Sequence, residues 1–388
     1  MEKVITTEKV PIKLWLNDIE DGAMEQVINM ANLPFVFKHV AIMPDAHQGY
    51  GMPIGGVLAT KGVVIPNAVG VDIGCGMCAV KTNLTDIDIR KLKMVVERIK
   101  EVVPVGFNHQ KGKQDESLMP CNPVKAREIM KIVPLEYEKA LYQIGTLGGG
   151  NHFIEIQKGS DGFIWVMIHS GSRNIGLKVA NYYNKLAEEI NQSYYSEVKK
   201  DIQLAFLPMH TPFFVEYFTE MQFCVNFALA NRLLMLERIK EIISLVGQNV
   251  IFDEPINIAH NYARWENHYN TNVVVHRKGA TSAKDGEIGI IPGSQGTKSY
   301  IVEGLGNPLS FMSCSHGAGR KMGRKQAQRT LNLKDELFKM GSILHGMRGE
   351  QDLDEAIGAY KDIDEVMANQ KDLVKILVEL TPLAVIKG

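Results

Sequence analysis

The 388-residue sequence predicts an α+β fold built as one domain over residues 1–388. Three observations carry that expectation. Short β-branched and apolar stretches read as strands, and longer stretches with apolar residues at helical spacing read as helices. The two kinds alternate without the regular strand–helix–strand spacing of a doubly wound sheet. No repeat, low-complexity tract or linker divides the chain.

The expected strands, in chain order, are Phe35–Met43, Met77–Asn83, His152–Ile156, Phe163–Ile168, Ile256–Ala259, Asn272–His276, Gly286–Ile291 and Ser299–Val302. Each is short, and the polar clusters sit at strand ends. Helical periodicity predicts Ile87–Val102, Gly176–Ser193 and, most clearly, Thr211–Val246, which opens on the start signature Thr211-Pro212. The last third returns to helix at Leu333–Met340 and Ile363–Leu380.

Hydrophobic residues at 45% and charged residues at 22% are the globular average, which excludes disorder. No apolar run approaches the roughly 18 residues of a membrane span, so no membrane partner is expected. The N-terminal segment alternates charged and apolar residues instead of forming an apolar secretion signal, and the chain reads as cytoplasmic. With 43 Lys plus Arg against 44 Asp plus Glu, bulk charge offers a polyanion no general attraction. Such a partner needs a local patch. The five cysteines are an odd number, which argues for reduced thiols over a disulfide framework.

The chain has 35 glycines, many clustered beside His, Asp, Asn or Ser: PDAHQGYGMPIGG, GVDIGCGMC, GTLGGGNHF, HSGSRNIG, IPGSQG and SCSHGAGR. Clustered glycines mark tight turns or close backbone approach, so these segments suggest one site assembled from many loops. In the second, Asp72 precedes Cys75 by three residues on a glycine-flexed turn, which can aim carboxylate and thiolate at one point as a metal site needs. Cys75-x-x-Cys78 as a redox pair or half a zinc knuckle competes with it, although Cys121, Cys224 and Cys314 supply no second pair. A buried turn with two inert thiols is the bland alternative. His152, His169, His260 and His316 each fall between an apolar strand and a small-residue loop, whereas His39, His210, His268 and His345 lack that setting. Alone, each junction histidine is more often structural. Together with Asp72 and Cys75 they supply ligands for two divalent metals and one spare imidazole.

SCSHGAGRKMGRKQAQR reads as a loop leading into a helix with Arg320, Lys321, Arg324, Lys325 and Arg329, a setting that favours phosphate or merely a solvated basic face. Arg173 and the Arg277-Lys278-Gly279 turn add cations, and a phosphate-rich substrate is the expectation. His316, just before the turn, can serve as a nucleophile toward phosphorus.

Those strings, in that order, closely resemble the RtcB family of GTP-dependent RNA-splicing ligases. The likeness runs end to end, through AHNYARWE, VHRKGAT, IPGSQGTKSYIV and AYKDIDEVM to Ile386-Lys387-Gly388. It implies a β-rich centre wrapped by helices around a deep metal-containing cleft, two Mn²⁺ ions, and GTP. By resemblance, Asp72 and His152 bind one metal, His169 and His260 the other, and Cys75 bridges them. His316 is the guanylylated nucleophile, with Asp45 behind it. Asn151 and Asn261 match positions near the GTP phosphates. Phe153, Glu155, Ser299, Ala318, Gly319, Tyr360 and Lys387 match nucleotide contacts. Arg173, Arg320 and Lys278 match groups for substrate phosphate. The implied partner is RNA with 3′-phosphate or 2′,3′-cyclic phosphate and 5′-hydroxyl ends, in transfer-RNA splicing or RNA repair. Two departures, Asn174 in HSGSRN and Gln295 in IPGSQG, fall on neither a ligand nor the nucleophile and bear on the RNA-end loop. The rivals are a metal-dependent phosphohydrolase that needs no GTP and a non-catalytic RNA-repair accessory paralogue.

Overall fold

Runs of Val, Ile and Met settle into two mainly antiparallel sheets in the computed structural model, which describes residues 1–121, 128–194, 196–247 and 249–388. In spatial order the six-stranded sheet is Lys3–Ile5, Ile12–Leu14, Val36–His47, Ile54–Thr60, Thr271–Lys278 and Asn261–His268. The seven-stranded sheet is Ile256–Ala259, Gly76–Lys81, Ile164–Ser170, Phe153–Gly159, Val374–Lys387, Ser299–Gly304 and Ile288–Ile291. All eight strands expected from the sequence are present, with ends shifted by a few residues.

Side-chain alternation sorts the larger sheet. Met77, Ala79, Met167 and Val385 share one cluster. Cys78, Val80, Val166 and Ile168 share another with Ile99 and Met235 of the helices Ile89–Val102 and Pro212–Ser244. Both faces are covered, so IWVMIHS is a continuous buried run without a polar side. Asp88 caps the first of those helices, accepting from the N–H groups of Arg90 and Lys91 at 3.0 and 3.1 Å.

Two expectations need correction. The helix expected over Ile363–Leu380 stops at Ala368, and Val374–Lys387 is a strand between Phe153–Gly159 and Ser299–Gly304. Val374, Ile376, Val378 and Leu380 suit a half-buried pleated surface, and Pro382 sits beside a register shift where its missing N–H is tolerated. The basic helix expected from residue 320 begins only at Arg324 and ends at Thr330, leaving Arg320 in the preceding loop. The helix Val133–Gln143 went unforeseen because its cap is remote: Glu220, on Pro212–Ser244, accepts from the N–H groups of Ile132 and Val133, the latter at 2.7 Å.

The sheets meet where the site lies. Ala259 pairs with Gly76 in one sheet and Asn261 with Lys278 in the other, so the chain changes sheets at His260.

Candidate active site

Cys75 is at the centre of a buried donor cluster. Its Sγ lies 3.4 Å from His152 Nε2 and 3.3 Å from His169 Nε2, and His152 Nε2 lies 3.2 Å from Asp72 Oδ2. Two overlapping groups, Asp72–Cys75–His152 and Cys75–His169–His260, each bring their ligand atoms within 4.8 Å of one another. The turn that makes this possible closes with a bond from Cys75 N–H to the Asp72 carbonyl at 3.1 Å. Gly74 takes φ +78°, which a side chain rarely adopts, and a Cβ at Gly76 would lie 2.0 Å from the Ile258 carbonyl oxygen. Gly76 therefore serves close packing and Gly74 the turn.

The donors fit a metal. Burial pushes the Cys75 thiol well up, and the Asp72 carboxylate pushes the same way, so the site as folded disfavours a bare thiolate. Burial holds His169 and His260 neutral, with their pKa values well below the usual range. His169 Nδ1 donates to the Asn151 carbonyl at 3.0 Å, which leaves the Nε2 lone pair facing Cys75. His152 Nδ1 and His260 Nδ1 are buried with no hydrogen-bond partner among the described residues. Thiolate, imidazole and carboxylate together suit a divalent transition metal.

Behind the cluster, Arg232 of the long helix is wholly buried and ties its loops together. It donates to the carbonyls of Gly74 (3.0 Å), Ser170 (2.7 Å) and Ile258 (3.1 Å) and to Asn257 Oδ1 (2.8 Å). Neighbouring Asn231 accepts from the N–H groups of Gly145 (2.7 Å) and Thr146 (3.1 Å) and donates to the Gly171 carbonyl (3.2 Å). Arg232→Ala strands four acceptors, two buried and two half-buried, and we expect a loss of about 3–5 kcal/mol in urea unfolding. Arg232→Lys will not restore it, because an ammonium cannot span the fork. Wild-type stability in the alanine variant would show that the loops hold themselves.

His316 follows the short strand Ser313–Ser315. Its Nδ1–H donates to Asp45 Oδ2 at 2.6 Å, and the same oxygen accepts the His316 backbone N–H at 3.1 Å. Asp45, on Val36–His47, is fully buried, while the His316 side chain keeps 15% of its surface exposed. Gly319 (φ +72°) lets the loop close on this pair, since a Cβ there would lie 2.1 Å from the Asp45 carbonyl oxygen. The carboxylate thus fixes one tautomer and leaves Nε2 for chemistry. The His260 ring is 4.8 Å from the His316 ring, centre to centre, so His316 and the Cys75-centred donor cluster share one site.

A cleft of about 380 Å³ opens over both. Among the residues singled out from the sequence, Asp72, Cys75, Asn151, Phe153, His169, His260, Asn261, Lys278, His316, Ala318, Gly319, Arg320, Tyr360 and Lys387 line it. His152 and Asp45 lie behind this lining, holding Cys75 and His316 respectively. The rest have other surroundings. Arg173 is turned to the protein, donating to Thr146 Oγ1 at 2.8 Å and the Gly106 carbonyl at 2.9 Å. Both ends of the Asn261 amide also serve the scaffold, donating to the Asp72 carbonyl (3.0 Å) and accepting from Gly279 N–H (2.8 Å). Glu155 is buried, and burial raises its pKa to about 8 against the pull of Lys387 and Gln157. Ser299 Oγ accepts from Gln157 at 3.3 Å. Lys278 has no carboxylate partner among the described residues, and burial brings its pKa down to about 7. Of the two departures, Gln295 lines the cleft and donates to the Glu355 carbonyl at 2.8 Å, while Asn174 lies in the first turn of Arg173–Ser193.

Glu355 escaped the sequence reading. It accepts from Tyr360 OH at 2.5 Å and pairs with Arg320, Arg324 and Lys387, each at 3.2 Å. Burial would raise its pKa, but Lys387, the Tyr360 bond and the two arginines outweigh that and hold it below the usual range. Nothing local marks it as an ion-pair centre, because its three cationic partners come from distant segments. Asn231-Arg232 did leave a signal, a polar pair inside the apolar helical stretch FALANRLLML.

Fold and cleft define a class: an α+β protein with a paired Cys/His/Asp metal-donor cluster beside a carboxylate-oriented histidine. The model of the family described as tRNA-splicing ligase RtcB matches residues 26–131 and 113–388. The RNA-splicing ligase RtcB of Escherichia coli K12 is 38% identical over 408 aligned residues, covering 100% of this chain and 99% of that protein. The tRNA-splicing ligases RtcB of Thermococcus kodakarensis and Pyrobaculum aerophilum are 32% and 33% identical, covering 95% and 98% of the chain. The chain belongs to the RtcB family.

Proposed function

We propose that residues 1–388 act as one GTP- and manganese-dependent RNA ligase domain, joining RNA 3′-phosphate or 2′,3′-cyclic phosphate ends to 5′-hydroxyl ends. The observation that carries this reading is the His316–Asp45 pair set against the Cys75-centred donor cluster in one cleft. The printed names of the relatives, all splicing ligases, support it. Two manganese ions, one on Asp72, Cys75 and His152 and one on Cys75, His169 and His260, would neutralise phosphate charge during transfer.

His316 Nε2 attacks the α-phosphate of GTP. A nitrogen–phosphorus bond forms and the bond to pyrophosphate breaks, while Asp45 stabilises the positive charge that the ring acquires. On this reading Arg320 and Lys387, which line the cleft, offset phosphate charge and Tyr360 and Phe153 hold the nucleotide, while Glu155 is buried outside the cleft lining. The RNA 3′-phosphate then takes GMP, which breaks the nitrogen–phosphorus bond and restores the imidazole; a cyclic end must first be opened by water. Last, the 5′-hydroxyl attacks the activated phosphate, GMP leaves and the hydroxyl proton is released. Without activation the 3′-phosphate would have to expel a very poor leaving group.

Incubation with α-labelled GTP and Mn²⁺, then denaturing electrophoresis, tests the reading: a labelled protein band is expected, and its absence favours the GTP-independent phosphohydrolase. Intact donors and His316 weigh against the accessory paralogue. Among the described residues no helix is long and apolar enough to cross a membrane, which is compatible with the cytoplasmic reading.

The donor set makes a further prediction. By ligand softness it binds Zn²⁺ more tightly than Mn²⁺. We expect Mn²⁺ to support labelling and Zn²⁺ to displace it, bound by elemental analysis but inhibitory. Full labelling with zinc alone would overturn this.

A further inference from the structure

We propose that the part of the cleft lining bearing Tyr50 and Val71 is a stacking platform for the terminal nucleobase of an RNA strand, an inference that rests on the RNA-ligase reading. The cleft lining holds two unlike groups of side chains. Arg320, Arg324 and Lys387 gather around Glu355 in one, a surface for phosphates. Tyr50 and Val71 also line the cleft, yet keep 70% and 43% of their surfaces exposed.

The exposed tyrosine is not on a loose loop. Its carbonyl accepts from the buried Lys278 ammonium at 2.6 Å and from Met52 N–H at 2.8 Å. The next residue, Gly51, has φ +67° and is packed so closely that a Cβ would lie 2.5 Å from the Gln203 carbonyl oxygen. Asn67 donates to that same carbonyl at 2.9 Å. The backbone is clamped on both sides, while the residue lines the cleft, is largely exposed and makes no ring–ring contact among the described residues.

An aromatic face on a fixed backbone loses little further freedom when a ligand covers it. Nucleobases of single-stranded ends are the flat, apolar-faced groups that such rings hold, irrespective of base identity. Val71 adjoins Asp72, so a base on this platform would sit beside the metal donors with its phosphate toward them. The charged group is then left to the triphosphate of GTP. The cleft lining thus divides between base stacking and phosphate charge.

The test uses the manganese-loaded full chain without GTP and two RNA oligonucleotides. One carries 2-aminopurine as the last base before a 3′-phosphate, the other as the first base after a 5′-hydroxyl. Stacking quenches 2-aminopurine, so quenching on binding is expected with at least one. Tyr50→Ala should remove the quench and weaken that RNA about tenfold or more. Tyr50→Phe should keep both, and Tyr50→Leu, which retains apolar bulk without a π face, should behave as the alanine variant. Circular dichroism verifies folding. Unchanged quenching in the alanine and leucine variants, or a raised KM for GTP with RNA affinity intact, would overturn the platform. So would a wild-type chain that ligates RNA without quenching either probe. A wild-type chain that quenches the probe but takes no label from GTP would sink the ligase reading and leave the platform standing.

Discussion

His316→Ala loses covalent labelling by α-labelled GTP entirely, and Asp45→Asn slows it by roughly 10²–10⁴-fold. The two variants separate the atom that reacts from the group that prepares it. His316 supplies Nε2, for which alanine has no substitute. Asp45 is fully buried behind the ring: it accepts Nδ1–H at 2.6 Å and so keeps the proton away from the attacking nitrogen. An asparagine amide can turn its NH₂ toward Nδ1, which shifts the ring proton to Nε2 and blocks the lone pair. It also removes the negative charge that stabilises the ring once phosphorus is attached. The adduct should be acid-labile, as a phosphoramidate is. Label that survives His316→Ala, or that forms equally with every nucleotide, would place the nucleophile or the specificity elsewhere. An Asp45→Asn variant labelled at the wild-type rate would reduce the pair to a structural contact.

The segments of the candidate site were legible because their chemistry is local in sequence. Asp72, Gly74, Cys75 and Gly76 lie within one turn, and each histidine of the cluster stands at one end of an apolar run that reads as a strand, His152 at its start and His169 and His260 at the close of theirs. Their convergence was an inference from residue type, since nothing in the spacing of residues 75, 152, 169 and 260 encodes distance. The resemblance supplied the grouping, and the sheet seam at His260 gives its physical basis. Other features were out of reach for definite reasons. The first half of Val374–Lys387, residues 374–380, reads as helix in the sequence because its apolar residues suit either period, and pairing with two neighbouring strands decides it. Arg232 and Glu355 act on groups scattered through the chain, so their roles exist only once the loops are assembled. Arg173 reads as a cation for phosphate, but folding spends two of its donors on Thr146 and Gly106.

The two close thiols, Cys75 and Cys78, should behave oppositely. Cys75→Ala removes the one ligand common to both donor groups, so each falls to two protein ligands and two cations would face each other without the thiolate between them. Loss of bound manganese and of labelling is expected, in a protein that still folds because the turn is held by backbone bonds and by Arg232. Cys78 lies in the strand Gly76–Lys81, fully buried among Val80, Ile154 and Ile168, and burial pushes its thiol up to about 12. It packs as a small hydrophobe and is no thiolate at neutral pH. Cys78→Ala should cost on the order of 1 kcal/mol in unfolding and leave metal and labelling largely intact. Elemental analysis of the two folded variants decides between a single bridging thiolate and a Cys-x-x-Cys site. Comparable loss of manganese from both would favour the latter, and would require the Cys78 side chain to leave the helix-facing cluster in which it is now buried.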